Sequence, residues 1–164
     1  MDRIKKLGSW KRKQPERKKM DIKLEPKHLW TKGKKPFGLS EYDTGIWNAY
    51  TIKLPDEKIN VWTSVPVGLI EWTGTPEQEF MKDAWIELNQ KKIDIVIESE
   101  LEILIIEIRQ HAGVEVISTL WNYDRLFKET YKTEKPTKLL IVTNFTYRET
   151  QIMAEREGIP IIEV

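Results

Sequence analysis

Residues 91–113, KKIDIVIESELEILIIEIRQHAG, decide the reading of this chain. Two runs, Lys92 to Glu98 and Leu101 to Arg109, are mostly Ile, Val and Leu and are joined near Ser99-Glu100. Apolar side chains on both faces mark interior strands of a covered sheet, so this stretch reads as a hairpin. Two acids interrupt it, Asp94 and Glu107. An ionised carboxylate is expensive to bury, so each must be exposed, paired or metal-bound. Arg109 stands two residues beyond Glu107 and so projects from the same strand face. One reading is ordinary: Asp94 sits near water at a strand entrance, while Glu107 and Arg109 form a same-face salt bridge of little energetic weight. The other is a functional acid pair with a cation beside it.

Working outward toward the C-terminus, Gly113 precedes a helical pattern from Val114 to Lys132, with Val116, Ile117, Leu120, Tyr123, Phe127 and Tyr131 on one broad face. Pro136 separates it from an apolar strand, Lys138 to Thr143. A helix from Tyr147 to Glu157, capped by Gly158, leads to a short closing strand, Ile159 to Val164. Toward the N-terminus, Thr75, Pro76, Glu77 and Glu79 make a helix start: N-cap, first-turn proline and acids at the positive end of the dipole. That helix is expected to run to about Asn89, with Phe80, Met81, Ala84, Trp85 and Leu88 as its apolar stripe. Glu77 extends the stripe by one turn and is expected to point inward or along its rim. From residue 75 onward the order is α-β-β-α-β-α-β, which argues an α/β fold with a mixed sheet flanked by helices.

Residues 36–74 read as a β-rich extension. Ile46 to Leu54 and Ile59 to Val65 hold many β-formers around the turn Pro55-Asp56-Glu57-Lys58, which predicts a hairpin, and Gly68 to Trp72 a third strand. Trp47, Trp62 and Trp72 are expected to form a small aromatic core, with a base-stacking platform as the alternative.

The chain has 164 residues and a net charge of +1, but the charge is segregated: residues 1–35 carry 14 Lys and Arg against 4 Asp and Glu, and residues 36–164 carry 13 against 22. Runs such as Lys11-Arg12-Lys13 and Arg17-Lys18-Lys19 cannot be core, so residues 1–35 read as a basic arm. Such an arm suits nucleic acid, neutralising phosphates, with Trp10 and Trp30 available to stack on bases. Docking on the acidic remainder of the chain, or solubility alone, is the plainer alternative. The absence of cysteine and the presence of only two histidines, His28 and His111, exclude disulfide scaffolds, thiol catalysis and His-Cys metal clusters. No apolar run approaches the roughly 18 residues of a membrane span, so an intracellular, cytoplasmic protein is expected. Charged residues at 32% fit a thermophile's habits.

A helix acid, an Ile93-Asp94 strand, an Ile106-Glu107-Ile108-Arg109 strand, the link Gln110-His111-Ala112-Gly113, and a helix with Thr119-Leu120-Trp121-Asn122-Tyr123 follow in order. This layout resembles the PD-(D/E)XK nuclease superfamily over residues 75–164, and within it the nuclease domains of NucS-type mismatch endonucleases and RecB-like nucleases. The Gly158-Ile159-Pro160 turn into a final strand is similar too. Arg109 stands where the family has Lys, Thr119 where RecB-like members have Gln, and Ile93 where the motif's name has Pro.

The resemblance implies a restriction-endonuclease-like fold and a metal-dependent DNA nuclease, endonuclease rather than exonuclease. It implies Mg²⁺ or Mn²⁺ held by Asp94, Glu107 and the carbonyl oxygen of Ile108, with Glu77, or less favourably Glu79, reaching it directly or through water. Arg109 would stabilise the transition state but, never giving up its proton, cannot serve as general base. Either the metal alone activates water or cleavage has been lost, leaving a nucleic-acid-binding or architectural protein. Asn122 and Tyr123 are candidates for touching the substrate backbone or orienting Arg109, with packing as the alternative. His111, on a polar link, reads as a surface residue, with a general base as the alternative. The expected partner is DNA, and cutting both strands of a duplex would call for two sites, hence a homodimer.

Overall fold

The computed structural model describes residues 24–52, 59–131, 133 and 135–164. The basic run Lys11, Arg12, Lys13, Arg17, Lys18 and Lys19, together with Trp10 and the turn at 55–58, lies outside the described residues.

Five strands form one mixed sheet in the order β1-β2-β3-β4-β5. They are β1 (Asn60–Val67), β2 (Lys91–Glu98), β3 (Ile103–Ala112), β4 (Thr137–Thr146) and β5 (Ile161–Glu163). β1 and β3 run antiparallel to β2, while β3, β4 and β5 are mutually parallel. The helices are α1 (Glu41–Thr51), α2 (Lys82–Asn89), α3 (Glu115–Thr130) and α4 (Arg148–Arg156). The chain is therefore α/β with a mixed sheet, and every element expected from the 91–113 hairpin to the C-terminus is present within a few residues of its expected bounds.

Each face of the sheet carries its own core. On one, α3 and α4 cover Ile93, Val96, Ile105 and Ile141 with Val116, Ile117, Leu120, Phe127 and Ala154. On the other, Ile46, Trp47 and Tyr50 of α1 pack on Ile95, Ile97, Ile106, Ile108, Leu140 and Val142. This double cover is why the hairpin has no polar face to spare.

The extension departs from expectation. The stretch Ile46 to Leu54 was expected as a strand, but through Thr51 it belongs to α1. Ser40 caps that helix: its hydroxyl accepts from the Asp43 N–H at 3.1 Å and donates to the Asp43 carboxylate at 2.6 Å. Asp43, Ile46, Trp47 and Tyr50 recur at helical spacing, and burial of that stripe against the sheet outweighs the β-propensity of its residues. The expected hairpin partner, Ile59 to Val65, does form a strand, but it pairs with β2. Gly68 to Trp72 is not a strand.

The 75–89 helix is also only partly as expected. Pro76–Met81 is a 3₁₀ turn closed by a Thr75–Gln78 capping box, and α2 follows. Its stripe is not packed, since Phe80 and Leu88 are each 84% exposed. Trp85 meets Trp72 edge-on at 5.5 Å. Trp47 is fully buried and Trp62 is packed against the α3-side core.

Candidate active site

The pairing of β2 with β3 runs from Glu98 opposite Ile103 to Ile95 opposite Ile106 and stops there. Beyond that point the side chain of Asp94 takes over a backbone role: its Oδ2 accepts the N–H of Ile108 at 2.9 Å. The neighbouring strand is distorted at the same level. Ser64 has a left-handed backbone, φ 52°, and lies between Thr63, opposite Ile95, and Val65, opposite Ile93. On both strands the alternation of faces breaks here: Val61 and Ile95 pack on the α1 side, Val65 and Ile93 on the α3 side. A non-glycine residue held at positive φ in a strand is a costly conformation of the kind that gathers at functional sites.

Into this opening β3 delivers Glu107 and Arg109 from one face. The Glu107 side chain is 1% exposed, that of Asp94 23% and that of Arg109 40%. Arg109 holds the group together: one guanidinium nitrogen pairs with Glu107 Oε1, and the other donates to the Ile108 carbonyl at 3.0 Å and stands 3.8 Å from Asp94 Oδ2. Glu107 Oε2 is buried and has no hydrogen-bond partner. Both acids are held above the ordinary carboxylate range. For Asp94 the main cause is burial, opposed by the Ile108 N–H and the Arg109 charge. For Glu107 it is burial and then the Asp94 charge, opposed by Arg109.

Of the helix residues expected here, Tyr123 is brought to the site. Burial, and then the charges of Glu107 and Asp94, push its phenol up to about 12. Asn122 instead accepts from Arg125 at 3.2 Å, and Thr119 donates to the carbonyl of Glu115 in its own helix at 3.1 Å. His111 is exposed on β3, edge-on to Phe145.

Glu77 does not join the acids. It is exposed on the 3₁₀ turn and bonded to the Thr75 side chain, which holds its carboxyl below the usual range. Glu79 is ion-paired with Lys82 at 2.8 Å. The expectation failed because both sheet faces are already covered by α1, α3 and α4, leaving the 77–88 stripe outside. Among acids outside the pair, Asp43 of α1 opposes ionisation of both Asp94 and Glu107, as the smallest of the influences on each. Its signal was the 43, 46, 47, 50 spacing, hidden by the β-forming composition of the same stretch.

Among the described residues, no group of three or more His, Cys, Asp or Glu side chains is gathered closely enough to hold a metal ion. Two carboxylates and one carbonyl oxygen do converge, and a guanidinium already engages all three. Oxygen donors around an unpartnered buried carboxylate oxygen are the chemistry a hard divalent cation takes. Such an ion would find one acid fewer here than expected and would meet a guanidinium already engaging the donors.

Comparison with protein families, with curated proteins and with solved structures finds no match to this chain. No described helix is long and apolar enough to cross a membrane.

Proposed function

We propose that this chain is a metal-dependent deoxyribonuclease with a restriction-endonuclease-like fold, related to the PD-(D/E)XK superfamily. The observation that carries the reading is the convergence of Asp94, Glu107 and the Ile108 carbonyl where the ladder between β2 and β3 opens, with an orphaned Glu107 oxygen among them. Asp94, Glu107 and Ile108 would hold Mg²⁺ or Mn²⁺. When bound, such an ion supplies charge neutralisation at a phosphate and a water of lowered pKa.

The chain's own residues then divide the remaining work. Arg109 keeps its proton at any relevant pH, so its role is to hold negative charge, first that of the two acids and then that of a phosphate. Partial exposure of Arg109 leaves its guanidinium within reach of a ligand arriving from solvent. Tyr123, partly buried against the α3-side core, is the helix residue whose phenol feels the charge of both acids. Asp43 adds negative potential that favours a cation over a second anion at the pair.

The arrangement around Arg109 favours a second reading. A guanidinium that engages Glu107, Ile108 and Asp94 supplies a resident cation, as a non-catalytic nucleic-acid-binding protein of the same fold would need. One experiment separates the two. Circular duplex, linear duplex and single-stranded DNA are incubated with Mg²⁺ or Mn²⁺ and wild type, Asp94→Ala or Glu107→Ala. Metal-dependent cleavage lost in both variants supports the nuclease, and cutting of circles identifies an endonuclease. DNA binding by wild type without cleavage supports the second reading.

A further inference from the structure

Residues 29–35, part of the stretch read as a basic arm, are laid against the fold. Trp30 donates its backbone N–H to Val61 of β1 at 2.8 Å and its indole N–H to the Lys34 carbonyl at 2.7 Å. Its ring meets the buried Trp47 of α1 edge-on, with centroids 5.4 Å apart. Between this turn and α1 lies a cleft of about 460 Å³, with Trp30, Lys34 and Lys35 on one wall and Thr44, Asn48 and Thr51 on the other.

The α1 wall follows from helix geometry. Asp43, Ile46, Trp47 and Tyr50 form the stripe turned to the sheet, and Thr44, Asn48 and Thr51 recur at spacings of four and three on the adjoining face. The same helix thus turns one stripe to the sheet and a polar wall to the cleft.

The lining has a definite chemistry. An indole offers a surface for stacking a base, two ammonium groups offer phosphate contacts, and the Asn48 amide offers both donor and acceptor, while the Thr51 hydroxyl donates to the Asn48 carbonyl at 2.9 Å. Thr44 Oγ1, beneath the lining, is buried without a hydrogen-bond partner. Glu41 also lines the cleft, one carboxylate against two lysines, so the lining remains net positive. The volume lies within the range of small-ligand sites, about 300–1,000 Å³.

We propose that this cleft holds one unpaired nucleotide of a nucleic-acid strand, with its base against Trp30 and its phosphate on Lys34 and Lys35. The inference rests on the reading that the chain acts on nucleic acid, and it names the substrate class: a single strand, or a duplex with an unpaired end or branch. A fully paired duplex keeps its bases stacked inside the helix and cannot present one to the cleft without unstacking.

The test uses the full chain in EDTA, so that binding is read without cleavage. Fluorescein-labelled oligothymidylate and a hairpin duplex of equal length are titrated with wild type, the double variant Lys34→Gln/Lys35→Gln, Asn48→Ala and Trp30→Phe. The lysine and asparagine side chains are exposed, so these variants are expected to fold, which circular dichroism checks. The double lysine variant is expected to bind oligothymidylate about fivefold more weakly, and its salt slope to flatten by about 0.7 for the one phosphate the two lysines share. Asn48→Ala is expected to weaken the oligonucleotide and not the duplex. Trp30→Phe, which keeps a stacking ring, is expected to retain most of the affinity while losing part of the tryptophan quenching expected with wild type. Oligothymidylate affinities within twofold of wild type in the lysine and asparagine variants, or equal losses on the duplex, would overturn the proposal. Cleavage without these binding changes sinks the cleft alone; the binding changes without any cleavage sink the nuclease reading alone.

Discussion

Replacing Glu107 with Gln puts a sign and a size on the electrostatics of the acid pair. The side chain is 1% exposed, and burial followed by the Asp94 charge raises its carboxyl from 4.5 to about 8. A folded-state pKa above the unfolded one means that the native state binds the proton more tightly. Stability is therefore fullest below about 4.5 and falls as pH rises toward about 8. At about 1.4 kcal/mol per pH unit the nominal ceiling is roughly 4–5 kcal/mol. Relaxation and coupling to Asp94 and Arg109 reduce this, and about 2 kcal/mol is the expected loss in wild type between pH 5 and 8.5. Gln has the same shape and no ionisation, and the ion pair it gives up is screened on the side of the partly exposed Arg109. At pH 8.5 the variant is expected to be more stable than wild type by about 2 kcal/mol, or roughly 4–8 °C in Tm for a chain of this size. Near pH 5 the two are expected to coincide. Urea and thermal unfolding in EDTA at several pH values measure this directly. A wild type that gains stability from pH 5 to 8.5, or a Gln variant less stable than wild type at pH 8.5, would refute the reasoning. Adding Mg²⁺ or Mn²⁺ at pH 8 is expected to raise the wild-type Tm, because a ligand bound only by the native state stabilises it, and to leave that of the Gln variant in place.

Three further outcomes are expected. Glu77→Ala should leave metal-dependent cleavage and the urea-unfolding midpoint unchanged, because the side chain is exposed on the 3₁₀ turn and bonded to Thr75. Asp43→Asn should keep the fold but weaken Mn²⁺ binding by about tenfold in a calorimetric titration, since it removes a negative charge that bears on both acids; unchanged affinity would remove Asp43 from the site. Deleting residues 1–23 should lower DNA affinity and flatten its salt dependence in an anisotropy titration. Deleting 1–35 should also destabilise the fold, because His28 bonds to Thr63 at 2.8 Å and Trp30 packs on Trp47.

The legible part of the fold was the part whose pattern has one physical solution. Two apolar runs of strand length joined by a short link read as inner strands, and the acids within them had to be exposed, paired or metal-bound. Arg109, two residues from Glu107, was identifiable as that partner from strand periodicity alone. What followed was equally readable, because Pro136 and Gly158 mark element ends and the stripe from Val116 to Phe127 has a single helical face. Tyr123 was legible as a member of that stripe.

Local pattern determined which segments must be buried; tertiary packing decided where each found its cover. Ile46, Trp47 and Tyr50 satisfy a strand's composition and a helix's spacing alike, and the uncovered sheet face selected the helix, bringing Asp43 with it. The 77–88 stripe has a helix's amphipathicity, but with α1 on one face and α3 and α4 on the other it was left facing water, and Glu77 with it. Residues 29–35 have an arm's charge, yet Trp30 found an aromatic partner on α1 and stayed. The reason is the same each time: hydrophobic burial has no direction of its own, so a sequence fixes its amount, while competition among elements for two sheet faces fixes its place.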